Sequence, residues 1–355
     1  TTQKTTNNHQ QLGKTMSIHS NLNTTEITYC KRSYMRVKRL KVQGVTLYNF
    51  DSHFCPYPEG RQRPIQPVIT VNKLRSKALP KVYVHVRDMF KHFNADWQNI
   101  PEGYDYVAVG SILSVDESVG KLAKTAKRFA NVLSIIFYGA AGNQAGVGEQ
   151  CSHRTKECSK LCLVTAGKGS TPQVTLVRTA RTRLSVLNPD LFWAMWDRDF
   201  LKYSRKAERE NKTLACRPNG TTDKMPKQLQ DRIRANPSVT FYDYTAVPSR
   251  TEFERTVPNY HITLSRKETK ANHLWIKSQP WRYNVAAVVT PDLKSRLLAA
   301  DPQGDLYVDF DAHDLRIPEV DGIGKIGLLA PKGKARGKES GFIATTIEQV
   351  TDLVR

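Results

Sequence analysis

Three closely spaced cysteines are the residues of this sequence best suited to chemistry. Cys151, Cys158 and Cys162 have the spacing C-x6-C-x3-C and follow the glycine-rich segment 139–150. Thiolates bind soft and borderline metals, and three from one loop can converge on one centre. A cubane iron–sulfur cluster with three cysteine ligands keeps one iron open, whereas tetrahedral zinc needs a fourth ligand, for which His153 is a candidate. The loop therefore predicts a metal centre, with an iron–sulfur cluster favoured over zinc.

The other cysteines, Cys30, Cys55 and Cys216, are isolated in the sequence. A disulfide framework is typical of small secreted domains, and the polar N-terminal stretch lacks the apolar core of a secretory signal. No stretch approaches the roughly 18 apolar residues of a membrane helix. We therefore expect reduced thiols, no membrane partner and a cytoplasmic location.

A large excess of positive charge is the second feature with functional meaning. The 355 residues include 54 Lys and Arg against 33 Asp and Glu, a net charge of +21. Such a charge attracts polyanions, because each neutralised phosphate releases condensed counterions. One basic cluster also contains Tyr34, which could stack on a base. Its cationic members are Lys31, Arg32, Arg36, Lys38, Arg39 and Lys41. The cluster predicts DNA or RNA binding; a charge-protected edge strand would explain it equally well.

Hydrophobic periodicity divides the chain into three regions. Residues 1–28 form a polar segment expected to be a flexible tail, and residues 29–140 contain short strand patterns typical of a β-rich region. From 141 to 355, strands alternate with helices of about ten residues, a pattern that predicts βαβ units. The expected fold class is α/β, with a largely parallel sheet or a partial (β/α) barrel preceded by a smaller β-rich N-terminal region.

Polar residues follow several of the predicted strands in the α/β region. In parallel α/β folds, functional groups collect at the carboxyl ends of the strands, so we expect these residues to form one pocket facing the cysteine loop. The candidates are Asn219, Asp223, Asp243, Arg250, Ser265 and Arg266. Helix caps and turns use similar residue types. Asp311, His313 and Asp314 could hold a hydrolytic metal, although a capped turn explains them better.

Several motifs occur together, in one order, between about residues 151 and 345. After the three cysteines come LVTAGKG, RTARTRL, RPNGTTD, FYDYTAVPSR, NYHITLSR, NVAAVV, VDFDAHDLRIP and GLLAPKGKA. In this combination the chain resembles a family of uncharacterised phage- and plasmid-encoded proteins. The resemblance implies a bacteriophage or other mobile-element origin and a location in the cytoplasm of the host cell or in a virion. A looser similarity links the three-cysteine loop and the polar strand ends to radical-SAM enzymes, whose cysteine spacing is C-x3-C-x2-C instead.

Three functions are consistent with these features. The first is a basic phage- or plasmid-type protein that binds nucleic acid and carries a cysteine-ligated iron–sulfur or zinc centre. The second is an iron–sulfur enzyme that acts on a small or nucleotide substrate. The third is a virion or scaffold component with a structural metal site. The sequence does not decide whether the protein is an enzyme, and it names no catalytic residue.

Overall fold

The computed structural model describes residues 37–50, 67–71, 79–115, 120–280 and 282–352. The segment expected to be a tail, 1–28, lies outside these ranges. The same is true of two isolated cysteines and half of the basic cluster: Cys30, Cys55, Lys31, Arg32 and Arg36. Among the helices of the described ranges, none has both the length and the apolar character needed to cross a membrane.

The N-terminal part forms a small antiparallel sheet. Its strands are β1 (Val37–Val42), β2 (Val45–Phe50), β3 (Val68–Val71), β4 (Lys81–His85) and β5 (Tyr106–Val109), in the order β1-β2-β5-β4-β3. A 3₁₀ helix (Arg87–His92) and helix α1 (Ala95–Gln98) lie between β4 and β5. Leu47, Val84 and Trp97 are fully buried in the core of this sheet. The valine-rich strands thus bury one face, as expected of an antiparallel sheet.

A larger and mostly parallel sheet follows. Its strands are β6 (Leu113–Val115), β7 (Val132–Phe137), β8 (Thr213–Arg217), β9 (Thr240–Thr245), β10 (Tyr260–Ser265), β11 (Asn284–Val289), β12 (Tyr307–Asp309), β13 (Ile326–Leu329) and β14 (Ile343–Ala344). The order is β12-β13-β11-β10-β9-β8-β7-β6, with β14 also pairing with β11. β6 is antiparallel to β7, and the other strand pairs are parallel. The predicted fold class is confirmed. Strands β7 to β11 lie side by side in chain order, so their carboxyl ends share one edge.

Helices connect the parallel strands. They are α2 (Gly120–Arg128), α3 (Lys156–Lys160), α4 (Pro172–Leu187), α5 (Pro189–Arg209), α6 (Lys227–Ala235), α7 (Ser249–Glu254), α8 (Lys270–Ser278), α9 (Pro291–Ala300), α10 (Pro318–Asp321) and α11 (Glu348–Thr351). α4, α5 and α9 each begin with proline after a capping residue, Thr171, Asn188 or Thr290. The cap oxygen accepts a backbone N–H and the proline fixes a helical φ, so these dipeptides determine where the helices start.

The two faces of the large sheet have different partners. Along β8, Leu214 and Cys216 belong to the core shared with α4 and α5, whereas Ala215 packs on the other face with Tyr242 and Leu315. The segment after β12 crosses this second face closely. A Cβ on Gly327 would lie 2.0 Å from ring atoms of Phe310, so only glycine fits there.

The boundary between the sheets lies earlier than the sequence periodicity suggested. Residues 113–137 were expected in the N-terminal β-rich region, but they form strands β6 and β7 of the large sheet, with helix α2 between them in the chain. The run VLSIIF of β7 is buried at five of its six positions. Continuous apolar runs are typical of parallel strands covered on both faces, which explains why β7 joins the large sheet.

Candidate metal centre and adjoining cavity

The cysteine loop connects β7 to α4 at the carboxyl edge of the large sheet. Cys158 lies within α3, which begins after Thr155, and the Thr155 hydroxyl accepts a hydrogen bond from the Cys158 N–H at 3.2 Å. Cys162 directly precedes a 3₁₀ turn, Leu163–Thr165. Cys151 lies before α3, and its backbone N–H donates to Glu149 Oε1 at 2.8 Å. The three thiols are free and partly buried. Local capping therefore fixes the backbone around each cysteine.

Two other segments hold this loop against the sheet. Glu268, which follows β10, accepts from the Thr155 hydroxyl at 2.7 Å and from the Glu157 N–H at 3.2 Å. After β13, Gly333 adopts φ +58°, and a Cβ there would lie 2.6 Å from Thr165 Oγ1. The next residue, Lys334, donates its N–H to the same oxygen at 3.1 Å. The loop is thus fixed by residues more than a hundred positions away.

A cavity of about 240 Å³ lies between the loop and the strand ends. All three cysteines line it, together with His153. Four of the six predicted pocket residues also line it, namely Asn219, Asp223, Ser265 and Arg266. The structure thus brings the cysteine loop and most of the polar strand ends together around one space. Their function at this site stays a prediction.

The remaining two predicted pocket residues, Asp243 and Arg250, lie beneath the cavity. Arg250 is 1% exposed and donates to the carboxylates of Asp223 and Asp243 and to the hydroxyl of Tyr260. Asp243 accepts at 2.9 Å from both the backbone N–H and the side-chain amide of Asn219. These buried ion pairs position Asn219 and Asp223, so Asp243 and Arg250 support the cavity wall from behind.

Burial disfavours the charged form of the thiols. It raises the pKa of Cys151 to about 11 and also raises the pKa of Cys162. The third thiol has a cationic neighbour, because Lys267 Nζ lies 3.3 Å from Cys158 Sγ. Buried thiols bind metal only as thiolates, and a bound cation supplies the charge that removes their protons. The donor set therefore suits a metal centre better than an isolated reactive cysteine.

Several cations near the cysteines have no carboxylate partner in the described ranges. Arg266 is 4% exposed, yet it donates only to the backbone carbonyls of Gly341, Phe342 and Gln349. Arg178, close to Cys162, donates to the Gly169 carbonyl at 3.2 Å. Unpaired cations are costly to bury. Their placement around the loop is what an anionic centre, such as metal-bound thiolates, would require.

Two residues that line the cavity, Arg217 and Tyr244, were not singled out by the sequence patterns. Arg217, at the end of β8, donates from Nη1 to both oxygens of Asp314 at 2.9 Å. Its guanidinium lies 4.7 Å from the ring centre of Tyr244. No hydrogen-bond acceptor in the described part of the chain reaches its buried Nε. Arg217 begins the RPNGTTD motif, and its place at the end of a predicted strand was the sequence feature that could have identified it as a cavity residue.

Lys267 and Phe342 also line the cavity without having been predicted. Lys267 directly follows the predicted pair Ser265 and Arg266, and its ammonium lies 5.6 Å from the Phe342 ring centre. Phe342 is held over the cavity because Arg266 binds its carbonyl at 3.0 Å. No local pattern indicated Phe342, since its position depends on a contact between distant segments.

The described residues contain no group of three or more His, Cys, Asp or Glu side chains already arranged to hold a metal ion. The residues considered for a hydrolytic metal have separate partners. Asp314 pairs with Arg217, and Arg316 donates to His313 Nδ1 at 3.0 Å. Asp311 accepts from Lys294, Lys332 and the Ala330 N–H. These partners agree with the structural interpretation of this segment.

Asp311 provides a testable link between pH and stability. Burial alone would raise its pKa, but hydrogen bonds from Ala330, Lys294 and Lys332 lower it from 3.8 to about 2. A folded-state pKa below the unfolded value stabilises the fold above about pH 4, and this stabilisation disappears as the pH falls toward 2. We expect Asp311→Asn to lower the free energy of unfolding by about 2 kcal/mol at pH 7.

Urea unfolding at pH 7 and near pH 3 would measure this effect, which should shrink at the lower pH. Asp292→Asn is the matched control, because the Asp292 side chain is 80% exposed and its surface ion pair contributes little. A cost for Asp311→Asn that stays constant over this pH range would contradict the assignment.

The described part of the basic cluster lies on β1. Lys38, Arg39 and Lys41 are exposed there, and the Arg39 guanidinium lies 5.8 Å from the ring centre of Tyr48. β1 is an edge strand of the small sheet. Both earlier interpretations, nucleic-acid binding and a charge-protected edge, fit this position, so nucleic-acid binding by the cluster stays a prediction.

Comparison with known proteins gives one family. The family described as Gene product 88 matches residues 114–346, which is more than half of the chain and includes the cysteine loop and the large sheet. Neither the curated proteins nor the solved structures contain a significant match. The looser similarity to radical-SAM enzymes gains no support from these comparisons.

Proposed function

We propose that this chain, which belongs to the Gene product 88 family, is an iron–sulfur enzyme that acts on a small or nucleotide substrate. One observation carries the proposal. Cys151, Cys158 and Cys162 line a single cavity at the carboxyl edge of a parallel sheet, where α/β enzymes bind their ligands. The family match itself supplies no activity.

The charges around the cavity support a centre built on thiolates. Lys267 contacts Cys158, and Arg178 and Arg266 lie nearby without ion pairs to the carboxylates of the described ranges. A cluster bound by three cysteines would supply electron transfer and one iron open to a further ligand. Ligation would also order the loop around it, since binding and local folding are coupled at such sites.

The other residues of the cavity fit a small substrate. Val288, Leu329 and Phe342 provide apolar walls, whereas Arg154 and Lys332, which are paired with Glu149 and Asp311, add polar groups. Ligand sites commonly combine an apolar lining with a few convergent polar groups. Phe342, held by Arg266, would exclude water from one side. We infer that the substrate has an apolar or planar body and a polar group.

The test is anaerobic purification with metal analysis. We expect brown protein that contains iron and acid-labile sulfide and whose visible absorption fades in air. Colourless protein that contains stoichiometric zinc would show that the centre is a zinc site and not an iron–sulfur cluster. Protein that binds neither metal after anaerobic reconstitution would refute the proposal.

The nucleic-acid-binding and virion hypotheses also stay open as proposals. The exposed cations of β1 are the specific observation in favour of nucleic-acid binding. Phage or plasmid origin and a host-cytoplasmic location follow only from the resemblance of the motifs. Stoichiometric presence in purified particles would support the virion alternative.

A further inference from the structure

A second, open groove adjoins the cysteine cavity. It has a volume of about 480 Å³ and lies between α3 and the segment that follows β13. Leu161 lines both spaces, so the groove borders the cavity directly. A ligand lying in the groove could therefore extend into the cavity.

Positive charge dominates the groove. Four cations and two acids line it, namely Lys160, Lys334, Arg336, Lys338, Glu157 and Glu339. Glu157 is paired with Lys160 at 3.0 Å. Lys334, Arg336 and Lys338 are exposed, and none of them forms an ion pair with the carboxylates of the described ranges. Three cations thus remain available for an external anion.

The backbone that carries these cations is fixed. Ala335, between Lys334 and Arg336, is only 3% exposed, and the Lys334 N–H is bonded to Thr165. At the far end of the segment, Arg266 binds the carbonyl of Gly341 at 3.0 Å. Because the segment is anchored on both sides, its backbone does not have to become ordered on binding, which favours affinity.

We propose that this groove binds the phosphate groups of a nucleotide or of a nucleic-acid strand. Lys and Arg side chains without internal partners neutralise phosphates and release counterions, and a guanidinium can bind a phosphate in bidentate geometry. The phosphates would direct the adjoining part of the ligand toward the cysteine cavity. This last step rests on the proposed function; phosphate binding in the groove does not.

The test compares two triple variants by their binding of a fluorescently labelled single-stranded oligothymidylate. One carries Lys334→Ala, Arg336→Ala and Lys338→Ala; the matched control carries Lys127→Ala, Lys202→Ala and Arg205→Ala, again two lysines and one arginine, which are exposed on α2 and α5 outside the groove. Three phosphate contacts contribute a salt slope of about 2, so from about 50 to about 200 mM salt the wild type should lose about 20-fold more affinity than the groove variant. The control variant should keep the wild-type slope.

Competition identifies the source of the phosphate. Displacement of the oligonucleotide by ATP but not by inorganic phosphate indicates a nucleotide ligand, whereas displacement only by unlabelled oligonucleotide indicates a strand. The proposal is overturned if the groove variant keeps the wild-type salt slope, or if neither ATP nor oligonucleotide binds to folded protein.

Failure of this inference and failure of the iron–sulfur proposal give different results. If the protein binds no iron but still binds oligonucleotide or ATP, the phosphate-binding groove is supported and the iron–sulfur enzyme hypothesis is refuted. If iron-loaded wild-type protein binds neither oligonucleotide nor ATP, only the proposal of phosphate binding in the groove is refuted.

Discussion

Cys158→Ser should lose most of the iron that the wild-type protein binds under anaerobic reconstitution. Serine keeps the size of the side chain but replaces the soft sulfur ligand with a hard oxygen, which iron–sulfur centres bind poorly. Cys158 also lies 3.3 Å from Lys267, so its loss leaves that ammonium without its sulfur partner. We expect iron to fall from about four per chain, the content of a cubane cluster, to near zero.

The fourth described cysteine supplies the control. Cys216 is fully buried in the core shared with α4 and α5, on the face of β8 that packs against these helices. Cys216→Ala should keep the iron content and the visible spectrum of the wild type, although it loses some packing. Equal iron in the wild type and in Cys158→Ser would show that the metal binds elsewhere, and the proposed centre would be wrong.

Loss of metal should also change the mobility of the cysteine loop without unfolding the sheet. Ligation would add a further constraint to this glycine-containing loop, beside its contacts with Glu268 and Lys334. Hydrogen exchange should therefore increase in residues 143–170 of Cys158→Ser and stay unchanged in β7 to β11. Global unfolding of the variant would instead indicate a structural role for the thiol.

Arg250→Leu should lower the free energy of unfolding by about 3–5 kcal/mol, the typical cost of breaking a buried ion pair from one side. Arg250 is 1% exposed, and its two carboxylate partners are Asp223 and Asp243, of which Asp243 is fully buried. Without the arginine, Asp243 retains its bonds from Asn219 but loses its ion-pair partner. The uncompensated carboxylate, more than the lost contact, accounts for the expected size of the effect.

Urea unfolding would measure this change, with Arg296→Leu as the control. Arg296 pairs with Asp292 at 3.1 Å, and both side chains are well exposed, at 60% and 80%. Exposed pairs contribute about 0–1 kcal/mol. Adding Asp243→Asn to Arg250→Leu should recover part of the stability, because it removes the unpaired charge. A loss below about 1 kcal/mol in the single variant would contradict the buried ion-pair assignment.

Predictions from sequence succeeded where the information is local. The alternation of strands with helices predicted a mostly parallel sheet, which the structure confirms. The boundary of the small sheet was less predictable. The apolar run of β7 is typical of a strand covered on both faces, but its partner β8 is distant in the sequence, and the pairing with β8 assigns it to the large sheet.

The candidate site also combines residues that could be predicted from local sequence with residues whose place is decided by packing. Asn219, Asp223, Ser265 and Arg266 line the cavity because each lies near the carboxyl end of a strand, a position visible in the sequence. Asp243 lies within β9 and Arg250 lies on α7, and both are buried because Arg250 pairs there with Asp223 and Asp243. Which polar residue lines the cavity and which supports it is decided by packing.

The sequence by itself determined that three thiols lie on one loop, that a parallel sheet places functional groups along one edge, and that the chain is strongly basic. These properties follow from spacing, periodicity and composition. Only the tertiary structure decided that Lys267 lies beside Cys158, 109 residues away, and that Arg217 pairs with Asp314, 97 residues away. It also decided that the segment after β13 covers the cysteine loop. Such contacts join distant segments through burial and charge pairing, and no periodic pattern in the chain records them.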